Sequence, residues 1–595
     1  MANTRLDSLR LNMKKAGIDA YYFNTSDYHM SEYVPEYFKT IRYFSGFTGS
    51  LATLIVDSKK AYIFVDGRYH IQADKECLEN DVEVVKLGTE GTLEPIDFIN
   101  QNYKKKVVGL DGKRSSIQFV NKIVDLSIKI KCIDIYSELI ENRTPLSTSP
   151  LFELKEKYTG KSRKEKIEEL KYCFKDKVHI INNLESIAYL LNMRSDDVSH
   201  TPVFLSYLVV YDNDVYLFIN LERLDPEQLE ALYLDGIVVR EYEAYYDLLD
   251  VIKKQTVVLD DTKVNYETYL RLKNNHNAFV FMRSIVEDMK AVKNDVEIEN
   301  ARLAHIYDGV SMVKFIKWLK ESDKTKITEK DASDYLDNLR LTNKAFDLSF
   351  NSIVAYNENA ALMHYSPSKE KPVYLDNSGI LLVDSGGQYL EGTTDITRTI
   401  SLGKTSAEIK KHFTLVLKSM FNLSNAKFIK GMTGKNLDVL ARINIWKEGI
   451  DYRCGTGHGV GHVLSVHEGP PNVRYMKTEV GNENEPIVPG MIFSDEPGVY
   501  LEGKYGIRCE NLVLCKEDEK NEYGQFLSFD TLTLCPFDLD LIDAKYLDQE
   551  TIDTLNNYHK DVYDKLSPYL NKEEQKFLKK ETRAIWKQKS LLIGT

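Results

Sequence analysis

Short apolar runs alternate with helical stretches from the amino terminus to about residue 285, and this alternation restricts the fold more than any other feature. Residues 52–56 and 61–65 are two such runs, and residues 203–210 and 215–219 repeat the pattern further along. Strands that alternate with helices form layered α/β domains. We therefore expect an α/β architecture, with two units of similar size that suggest a duplication.

The chain has 595 residues, several times the ~150 residues of a typical domain. Prolines and small polar residues interrupt the periodicity at 142–150, which indicates a boundary. Glycine-rich turns follow in a third region, and the tail is rich in lysine and glutamate with a helical pattern. The predicted division is into two α/β domains at 1–145 and 146–290, a third domain at 291–535 and a helical C-terminal extension at 536–595.

A long amphipathic helix is predicted to open the third region, at about 295–322. Apolar residues recur there at spacings of three and four, which places them on one helix face. We expect that face to be buried. Its residues are Leu303, Ile306, Val310 and Val313.

The composition excludes several classes of protein. Apolar residues make up 43% and charged residues 28%, which is typical of a soluble globular protein rather than a disordered one. The net charge is −12 and the basic residues form no block, so we expect neither nucleic acid nor a membrane surface as a partner. No apolar run approaches the ~20 residues of a spanning helix, and the amino terminus lacks the order of a secretory signal. We predict a cytoplasmic protein.

Cysteine usage agrees with that prediction. The chain has seven cysteines, an odd number that is scattered along the sequence without a C-x-x-C pair. We therefore expect reduced thiols rather than a disulfide framework.

Two aspartates flank a predicted hairpin. Residues 379–384 form an apolar run that ends in Asp384, and residues 394–400 alternate so that Asp395 shares one side with two threonines. A turn at Glu391-Gly392 lies near the midpoint, so an antiparallel pairing would make the two aspartates neighbours. Two such charges need a cation or a shared proton. Either aspartate alone could instead end a strand or be solvated.

Three histidines lie among glycines between residues 454 and 467. His458 and His462 have the spacing of a helical zinc site, but the intervening glycines disfavour a helix and the H-E-x-x-H pattern is absent. Glycine on both sides of His458 fits backbone packed closely against a ligand or another strand. For His462 we favour an ordinary buried or surface side chain.

Two further carboxylates follow in the next strands. Glu496 ends a short apolar strand at a Pro-Gly turn, and strand alternation from Gly506 places Arg508 and Glu510 on one face. If these strands share a sheet, four carboxylates and one imidazole converge. Such an oxygen-rich set suits hard divalent ions, manganese or cobalt more than a structural zinc, and can bridge two ions ~3.5–4 Å apart. The chemistry indicated is metal-assisted hydrolysis.

At these residues the sequence resembles the pita-bread metallopeptidases, and more narrowly the long, three-domain aminopeptidase P group. The similarity rests on Val-Asp-Ser-Gly, Gly-Thr-Thr-Asp, Gly-Thr-Gly-His-Gly-Val-Gly, Asp-Glu-Pro-Gly and Gly-Ile-Arg, and it extends to Ser-Gly-Phe-Thr-Gly-Ser at 45–50, Asp-Gly-Arg-Tyr at 66–69 and residues 201–207. It covers nearly the whole chain. The resemblance implies two creatinase-amino-terminal-like α/β domains, a pita-bread α+β catalytic domain and usually a homodimer.

The resemblance also implies roles for individual residues. Two divalent ions, most simply Mn²⁺ with Co²⁺ or Zn²⁺ as alternatives, would share a bridging hydroxide nucleophile. Glu496 would also act as the proton shuttle. The substrate would be a peptide with a free amino terminus and proline in second position. The implied metal ligands are Asp384, Asp395, His458, Glu496 and Glu510, and the implied catalytic residues are His364, His467, Glu496 and Arg508.

One position departs from the pattern of that group. Cys454 stands where most relatives carry histidine, four residues before His458, and a small residue lining the pocket is the interpretation we favour. Two rival functions remain open. A proline dipeptidase shares the fold and ligands but normally lacks the middle domain, and a non-catalytic peptide-binding module on the same fold normally lacks some ligands.

Overall fold

The computed structural model describes residues 4–586 except 79, 174, 212 and 477–483. These residues fall into two compact units that divide between Asp288 and Met289. Among the described residues, no helix combines the length and the apolar character needed to cross a bilayer. The seven cysteines all lie in the described part of the chain, and no disulfide joins any of them there.

The first unit begins with a six-stranded mixed sheet over the described residues. Its strand order is β4-β3-β2-β1-β5-β6, with β1–β2 and β2–β3 antiparallel and the other neighbours parallel. The strands are β1 (Ala20–Asn24), β2 (Thr53–Asp57), β3 (Ala61–Val65), β4 (Glu83–Lys86), β5 (Val107–Leu110) and β6 (Lys129–Cys132), and the helices are α1 (Thr4–Ala16), α2 (Thr40–Ser45), α3 (His70–Cys77), α4 (Pro95–Tyr103) and α5 (Ile117–Asp125).

A second sheet in the same unit repeats this topology. Its order is β12-β11-β10-β8-β13-β14, with the same pattern of parallel and antiparallel neighbours. The strands of this sheet are β8 (Val178–Ile181), β10 (Tyr207–Tyr211), β11 (Asp214–Ile219), β12 (Ile237–Glu241), β13 (Thr256–Leu259) and β14 (Ala278–Phe281), while β7 (Phe152–Glu153) pairs with β9 (Met193–Arg194) in a separate two-stranded sheet. The helices are α6 (Glu156–Thr159), α7 (Arg163–Cys173), α8 (Leu184–Leu191), α9 (Pro226–Leu234), α10 (Tyr245–Val251) and α11 (Tyr266–Asn274), and α12 (Ile285–Ala291) crosses the boundary between the two units.

The two sheets meet through equivalent positions. Ser116 caps α5 and Asn265 caps α11, and these two residues form an isolated antiparallel bridge with each other. The helices that follow β5 and β13 therefore contact each other at their N-terminal caps, which are equivalent positions in the two repeats. Equal strand order and this symmetric contact agree with the duplication suggested by the sequence.

The second unit carries the remaining elements. Its sheets are β16-β17-β20, β15-β18-β19, β25-β26 and β21-β28-β27-β24-β22-β23. The strands are β15 (Asp347–Leu348), β16 (Ile353–Tyr356), β17 (Ile380–Ser385), β18 (Gly387–Tyr389), β19 (Gly392–Thr393), β20 (Ile396–Ser401), β21 (Phe428–Ile429), β22 (Gly457–Gly459), β23 (Glu468–Val473), β24 (Ile492–Asp495), β25 (Gly498–Leu501), β26 (Tyr505–Arg508), β27 (Asn511–Asn521) and β28 (Gly524–Thr531). The helices are α13 (Asp295–Glu321), α14 (Glu329–Thr342), α15 (Ala407–Ser424), α16 (Gly434–Trp446), α17 (Gln549–Leu566) and α18 (Lys572–Glu581).

The predicted long helix is confirmed as α13, but its buried face is different. Val310 and Val313 are buried, whereas Leu303 and Ile306 are only half-buried. Small residues let neighbouring backbone approach the helix on another side: a Cβ added at Gly309 would lie 2.3 Å from a carbonyl oxygen. Because several elements pack around α13, its buried surface is wider than one apolar stripe.

The single strand expected from Gly506 onward is broken in the structure. β26 ends at Arg508 and pairs with β25, whereas β27 begins at Asn511 and pairs with β24 and β28. Cys509 and Glu510 carry the chain from the hairpin to the larger sheet. Regular alternation therefore does not set the direction of the Glu510 side chain, which depends on the local contacts of this crossing.

Candidate metal centre

Asp384 and Asp395 are brought together by the pairing of β17 with β20. Asp384 lies opposite Thr397, and Asp395 directly precedes β20. The β18–β19 hairpin joins the two strands, and both aspartates are buried. The predicted antiparallel pairing is confirmed. The register does not shift at Gly386, since Ser385 lies opposite Ile396 and Gln388 lies opposite Thr393; a Cβ added at Gly386 would be 2.0 Å from the carbonyl oxygen of Thr394.

The glycines around His458 let two neighbouring strands approach. A Cβ at Gly457 would lie 1.9 Å from the carbonyl oxygen of Ser494, and one at Gly459 would lie 2.1 Å from that of Glu468. Real Cβ atoms do not approach backbone this closely, so glycine is required at both positions. His458 lies on β22 rather than on a helix, as the glycines indicated.

The ring of His458 is oriented as a metal ligand. Nδ1 lies 2.9 Å from the carbonyl oxygen of Gly459, which can only accept, so we infer that Nδ1 carries the proton. Nε2 lies 3.5 Å from Oδ2 of Asp395 and 3.4 Å from Oε1 of Glu496. This tautomer directs the Nε2 lone pair toward the carboxylates, which is the arrangement of metal-binding histidines.

Glu510 completes the group from a fully buried position. Its Oε2 accepts a hydrogen bond of 2.7 Å from Oγ1 of Thr397, and its backbone N–H donates to the Thr397 carbonyl at 3.2 Å. Asp395, His458 and Glu510 each offer a ligand atom within 4.8 Å of the others. Residues from three separate segments thus surround one small volume.

Arg508 lies among these carboxylates and hydrogen-bonds to several of their neighbours. It donates to Oδ2 of Asp384, to Oγ1 of Thr397 at 3.0 Å and to the hydroxyl oxygen of Tyr500 at 2.7 Å. Its Nε also lies 3.9 Å from Oε2 of Glu496. The guanidinium therefore neutralises part of the negative charge and fixes one oxygen of Asp384.

The remaining charge is still unfavourable without cations. Burial, followed by the charges of Asp384 and Glu496, raises the pKa of Asp395 well above its ordinary value. Burial, followed by Asp395, also raises the pKa of Glu510. Burial raises the pKa of Glu496 to about 7, although Arg508 acts in the opposite direction. In the absence of metal, these carboxyl groups would retain protons at pH values where isolated ones are ionised.

The residues present fit a pair of divalent cations. Oδ1 of Asp384 and Oε1 of Glu510 are buried and have no hydrogen-bond partner within the described structure. Unpaired buried carboxylate oxygens are costly unless a cation binds them. Four carboxylates and one imidazole nitrogen form a set suited to hard divalent ions, and acidic bridging oxygens allow two of them.

The other predicted histidines occupy different surroundings. The ring centroid of His467 lies 4.2 Å from that of His458, with the rings nearly perpendicular. His364 lies in the half-buried segment after the 3-10 helix Asn357–Ala361, which packs against β26. His462 is buried close to Gly392 and lies outside the group of mutually close ligand atoms found among the described residues, and our interpretation of it stays a prediction.

Cys454 lies against an apolar cluster beside the centre. It packs with buried residues that include Tyr452, and its carbonyl oxygen accepts a 2.6 Å hydrogen bond from Arg442. Among the described residues, the group of mutually close ligand atoms contains Asp395, His458 and Glu510 but not Cys454.

A buried network behind Asp395 was not predicted. Asp308 on α13 accepts hydrogen bonds from Thr394 Oγ1 at 2.8 Å, Arg340 Nε at 2.8 Å and the Tyr389 hydroxyl at 3.1 Å. Because Thr394 directly precedes Asp395, the network fixes the backbone that positions the Asp395 carboxylate. Only the position of Asp308 among the apolar residues of α13 could have signalled it, and that signal is weak.

A second unpredicted group anchors the strand after His467. Glu468 is buried, and its oxygens lie 3.2 Å from Nζ of Lys290 and 2.5 Å from Nζ of Lys293. Both lysines are also buried. The three charges join the segment that enters the second unit to the beginning of β23.

Comparison with protein families gives matches along most of the chain. Residues 299–517 match the profile described as metallopeptidase family M24, and residues 525–585 match the C-terminal region of peptidase M24. Residues 5–143 and 142–297 each match a profile described as a creatinase/prolidase N-terminal domain. The fold therefore combines two creatinase-like domains with a pita-bread catalytic domain and a helical extension.

Individual relatives match from end to end. A protein named "Probable Xaa-Pro aminopeptidase P" in Aspergillus flavus is 35% identical over 98% of this chain and 93% of its own length. One of the same name in Pyrenophora teres f. teres is 35% identical over 97% and 92%. A solved X-prolyl aminopeptidase from Caenorhabditis elegans, described as a cytosolic enzyme with a di-nuclear active site, is similar with a TM-score of 0.92 and 30% identity, covering 98% of this chain and 100% of that one. The chain therefore belongs to metallopeptidase family M24, in the group of the Xaa-Pro aminopeptidases P.

Proposed function

We propose that this protein is a metallo-aminopeptidase that hydrolyses the bond between an N-terminal residue and a proline in second position. The observation that carries the proposal is the convergence of Asp395, His458 and Glu510 within 4.8 Å, in a chain that aligns over 98% of its length with a protein of that named activity. The solved C. elegans relative, described as having a di-nuclear site, supports two metal ions per chain.

We assign the two ions to Asp384, Asp395, His458, Glu496 and Glu510, with Mn²⁺ as the first candidate and Co²⁺ or Zn²⁺ as alternatives. The oxygen-rich set with one nitrogen and no thiolate favours manganese over zinc. Bound there, the cations would provide a bridging water of lowered pKa and polarise the scissile carbonyl. The carboxylate oxygens of Asp384 and Glu510 that lack hydrogen bonds are the atoms available to them.

Glu496 is suited to move the proton. It lies at the edge of the group with its side chain 23% exposed, so one carboxylate oxygen is accessible to water and substrate. A carboxylate placed beside the attacking water can take up its proton and release it to the leaving group. We assign to Glu496 the transfer of this proton to the departing proline nitrogen.

His467 and His364 are assigned to the substrate. The ring of His467 packs against the ring of His458, and the charge of His467 lowers the pKa of Glu496. His467 therefore lies beside the proposed metal ligands. We propose that the two histidines hold the substrate carbonyl and the developing tetrahedral oxygen. Arg508 keeps Asp384 in place through its hydrogen bond and limits the accumulated negative charge.

Substrate profiles and elemental analysis test this function together. Two metal ions per chain, hydrolysis of Lys-Pro-Pro and no hydrolysis of Lys-Ala-Ala are expected. Cleavage of Lys-Pro alone, without longer peptides, would favour a proline dipeptidase. Two ions without any hydrolysis would favour a peptide-binding module.

We propose a homodimer, supported by an exposed apolar stripe on α16. Val439, Ile443 and Trp446 are each 41–42% exposed, and their spacing of four and three places them on one helix face. Tyr475, 41% exposed, extends the stripe, with its ring 6.0 Å from that of Trp446. Contiguous exposed apolar surface of this kind is typical of subunit interfaces. Ile443→Glu should shift the protein to a monomer in sedimentation, whereas Tyr233→Glu, at an exposed aromatic in the first unit, should not.

We propose a cytosolic location. The C. elegans relative is described as cytosolic, and the chain's cysteines form no disulfide among the described residues.

A further inference from the structure

Glu329 is a buried carboxylate that lies outside the five proposed metal ligands and has no role in the hydrolysis proposed for this protein. It is the first residue of α14 and is 1% exposed. Its Oε1 accepts hydrogen bonds from the Tyr356 backbone N–H at 2.6 Å and from Asn359 Nδ2 at 3.0 Å, and its Oε2 accepts one from the Tyr365 hydroxyl at 2.5 Å. All three donors belong to residues 356–365.

That segment carries His364 and has little regular structure of its own. After the 3-10 helix Asn357–Ala361, single turns follow, in which the Leu362 N–H donates to the Asn359 carbonyl at 3.0 Å and the Tyr365 N–H donates to the Leu362 carbonyl at 3.1 Å. Strand pairing ends at Tyr356, opposite Leu381, and Asn357 accepts a hydrogen bond from the Ile380 N–H at 3.0 Å. Beyond Asn357 no strand or long helix fixes the direction of the chain, so the course of the segment through His364 depends on its contacts with neighbouring elements.

One side of the segment packs directly against β26. A Cβ added at Gly506 would lie 1.8 Å from the carbonyl oxygen of Ala360, so the backbones are in direct contact two residues before Arg508. The other side is held by Glu329. The Tyr365 ring also packs against a small apolar cluster that includes Ala360 and Leu382. Residues 356–365 thus lie between β26 and the first turn of α14.

The chemistry of Glu329 fits a holding role. Among the described residues it forms no ion pair, and burial raises its pKa while the hydrogen bonds from Tyr365, Asn359 and Tyr356 lower it. A buried carboxylate without a cation is unfavourable unless several donors satisfy it. Here the donors do so, and the helix N-terminus adds favourable partial charge. Each donor is fixed in return.

We propose that Glu329 is a positioning residue that sets His364 for the substrate by holding residues 356–365 against β26. The assignment of His364 to the substrate rests on the proposed function, whereas the holding of the segment by Glu329 does not. Loss of one hydrogen bond should let the segment move by a fraction of an ångström to about 1 Å. Misplacement of that size lowers rates by up to about 100-fold.

Two variants test the proposal, each studied as the full-length metal-loaded protein. Tyr365→Phe removes one hydroxyl and keeps the ring in its cluster, and Glu329→Gln removes the charge. The control is Asp337→Asn, which removes a carboxylate on the same helix that accepts a hydrogen bond from Ser352, just before β16. We expect kcat/KM on Lys-Pro-Pro to fall about 10- to 100-fold for the first two, mainly through kcat, with metal content unchanged.

Amide hydrogen exchange gives a readout that is independent of turnover. Exchange in residues 357–366 should accelerate in Tyr365→Phe and Glu329→Gln and remain as in the wild type in Asp337→Asn. Wild-type exchange and wild-type kcat/KM in Tyr365→Phe would overturn the proposal, as would faster exchange with unchanged kcat/KM. If the wild-type protein itself cleaves no Xaa-Pro peptide, the proposed function fails, and exchange alone then decides whether Glu329 holds the segment.

Discussion

Replacement of Thr397 by valine removes one hydroxyl that joins two residues of the metal centre. Oγ1 of Thr397 donates to Oε2 of Glu510 at 2.7 Å and accepts from Nε of Arg508 at 3.0 Å, and the side chain is fully buried. Valine has nearly the same shape, so the change deletes two hydrogen bonds without opening a large cavity.

The expected loss follows from the charges of the two partners. Hydrogen bonds to charged groups contribute about 1.5–3 kcal/mol each, so up to about 3–6 kcal/mol is lost if both partners stay unpaired. Part of this appears as lower stability. The rest appears in metal binding, because Glu510 is no longer oriented, and loss of such supporting hydrogen bonds lowers metal affinity about 10- to 100-fold.

Thr399→Val is the matched control on the same strand. Oγ1 of Thr399 donates to the carbonyl oxygen of Arg508 at 2.9 Å and accepts from its N–H at 3.2 Å, so it contacts the backbone of Arg508 but none of the carboxylates. These neutral bonds contribute about 0.5–1.5 kcal/mol each. This variant should lose some thermal stability and keep its affinity for metal.

Calorimetric titration of Mn²⁺ into the metal-free proteins, with thermal unfolding of each, separates the two effects. Thr397→Val should bind at least one ion about 10-fold more weakly than Thr399→Val and the wild type. Equal affinity in all three proteins would refute the reasoning that Thr397 orients Glu510. An equal loss in both variants would place the effect in the strand as a whole.

Three further outcomes are expected. Glu510→Ala should lose bound metal and turnover while its circular dichroism spectrum stays native, and a variant that retained two ions and wild-type rates would contradict the ligand assignment. The affinity of the metal-free protein for Mn²⁺ should rise with pH up to about 7, because the raised pKa of Glu496 means that metal binding must displace a proton. The free energy of unfolding of the metal-free protein should fall between pH 4.5 and about 7, because the folded state holds that proton more tightly than the unfolded state does. A pH-independent affinity for Mn²⁺ would count against this reasoning. Cys454→Ser should keep the full metal content and most of the activity, and loss of one ion in a folded variant would show that the sulfur is a ligand.

Much of the local structure follows from patterns within a few residues. The apolar run ending at Asp384, the turn before Gly392 and the alternation after Asp395 predict the pairing of β17 with β20, because strand period and turn chemistry are local properties. The glycines around His458 likewise predict close backbone contact, which the approach of Ser494 and Glu468 confirms. The strand order shared by the first two sheets agrees with the duplication suggested by the alternation.

Other features depend on contacts between residues far apart in the chain. Alternation predicted one strand through Arg508 and Glu510, but the chain leaves one sheet for another at Cys509, and only the partners of β26 and β27 reveal this. The apolar spacing of α13 gives only a weak indication that Asp308 is buried, because its burial depends on Arg340 and Thr394, which pack against the helix from other segments.

The amino-acid sequence alone determined the class of fold and the family, and it supplied the set of side chains that we propose as metal ligands. The fold class, the family and the proposed ligands depend on residue types and on short spacings between them, and both can be read from the amino-acid sequence. Only the tertiary structure decided which groups hold those side chains in place. Glu329 reaches Tyr365 across 36 positions, and Thr397 reaches Glu510 across 113. Hydrogen bonds over such separations depend on packing of the whole unit, and no local pattern encodes them.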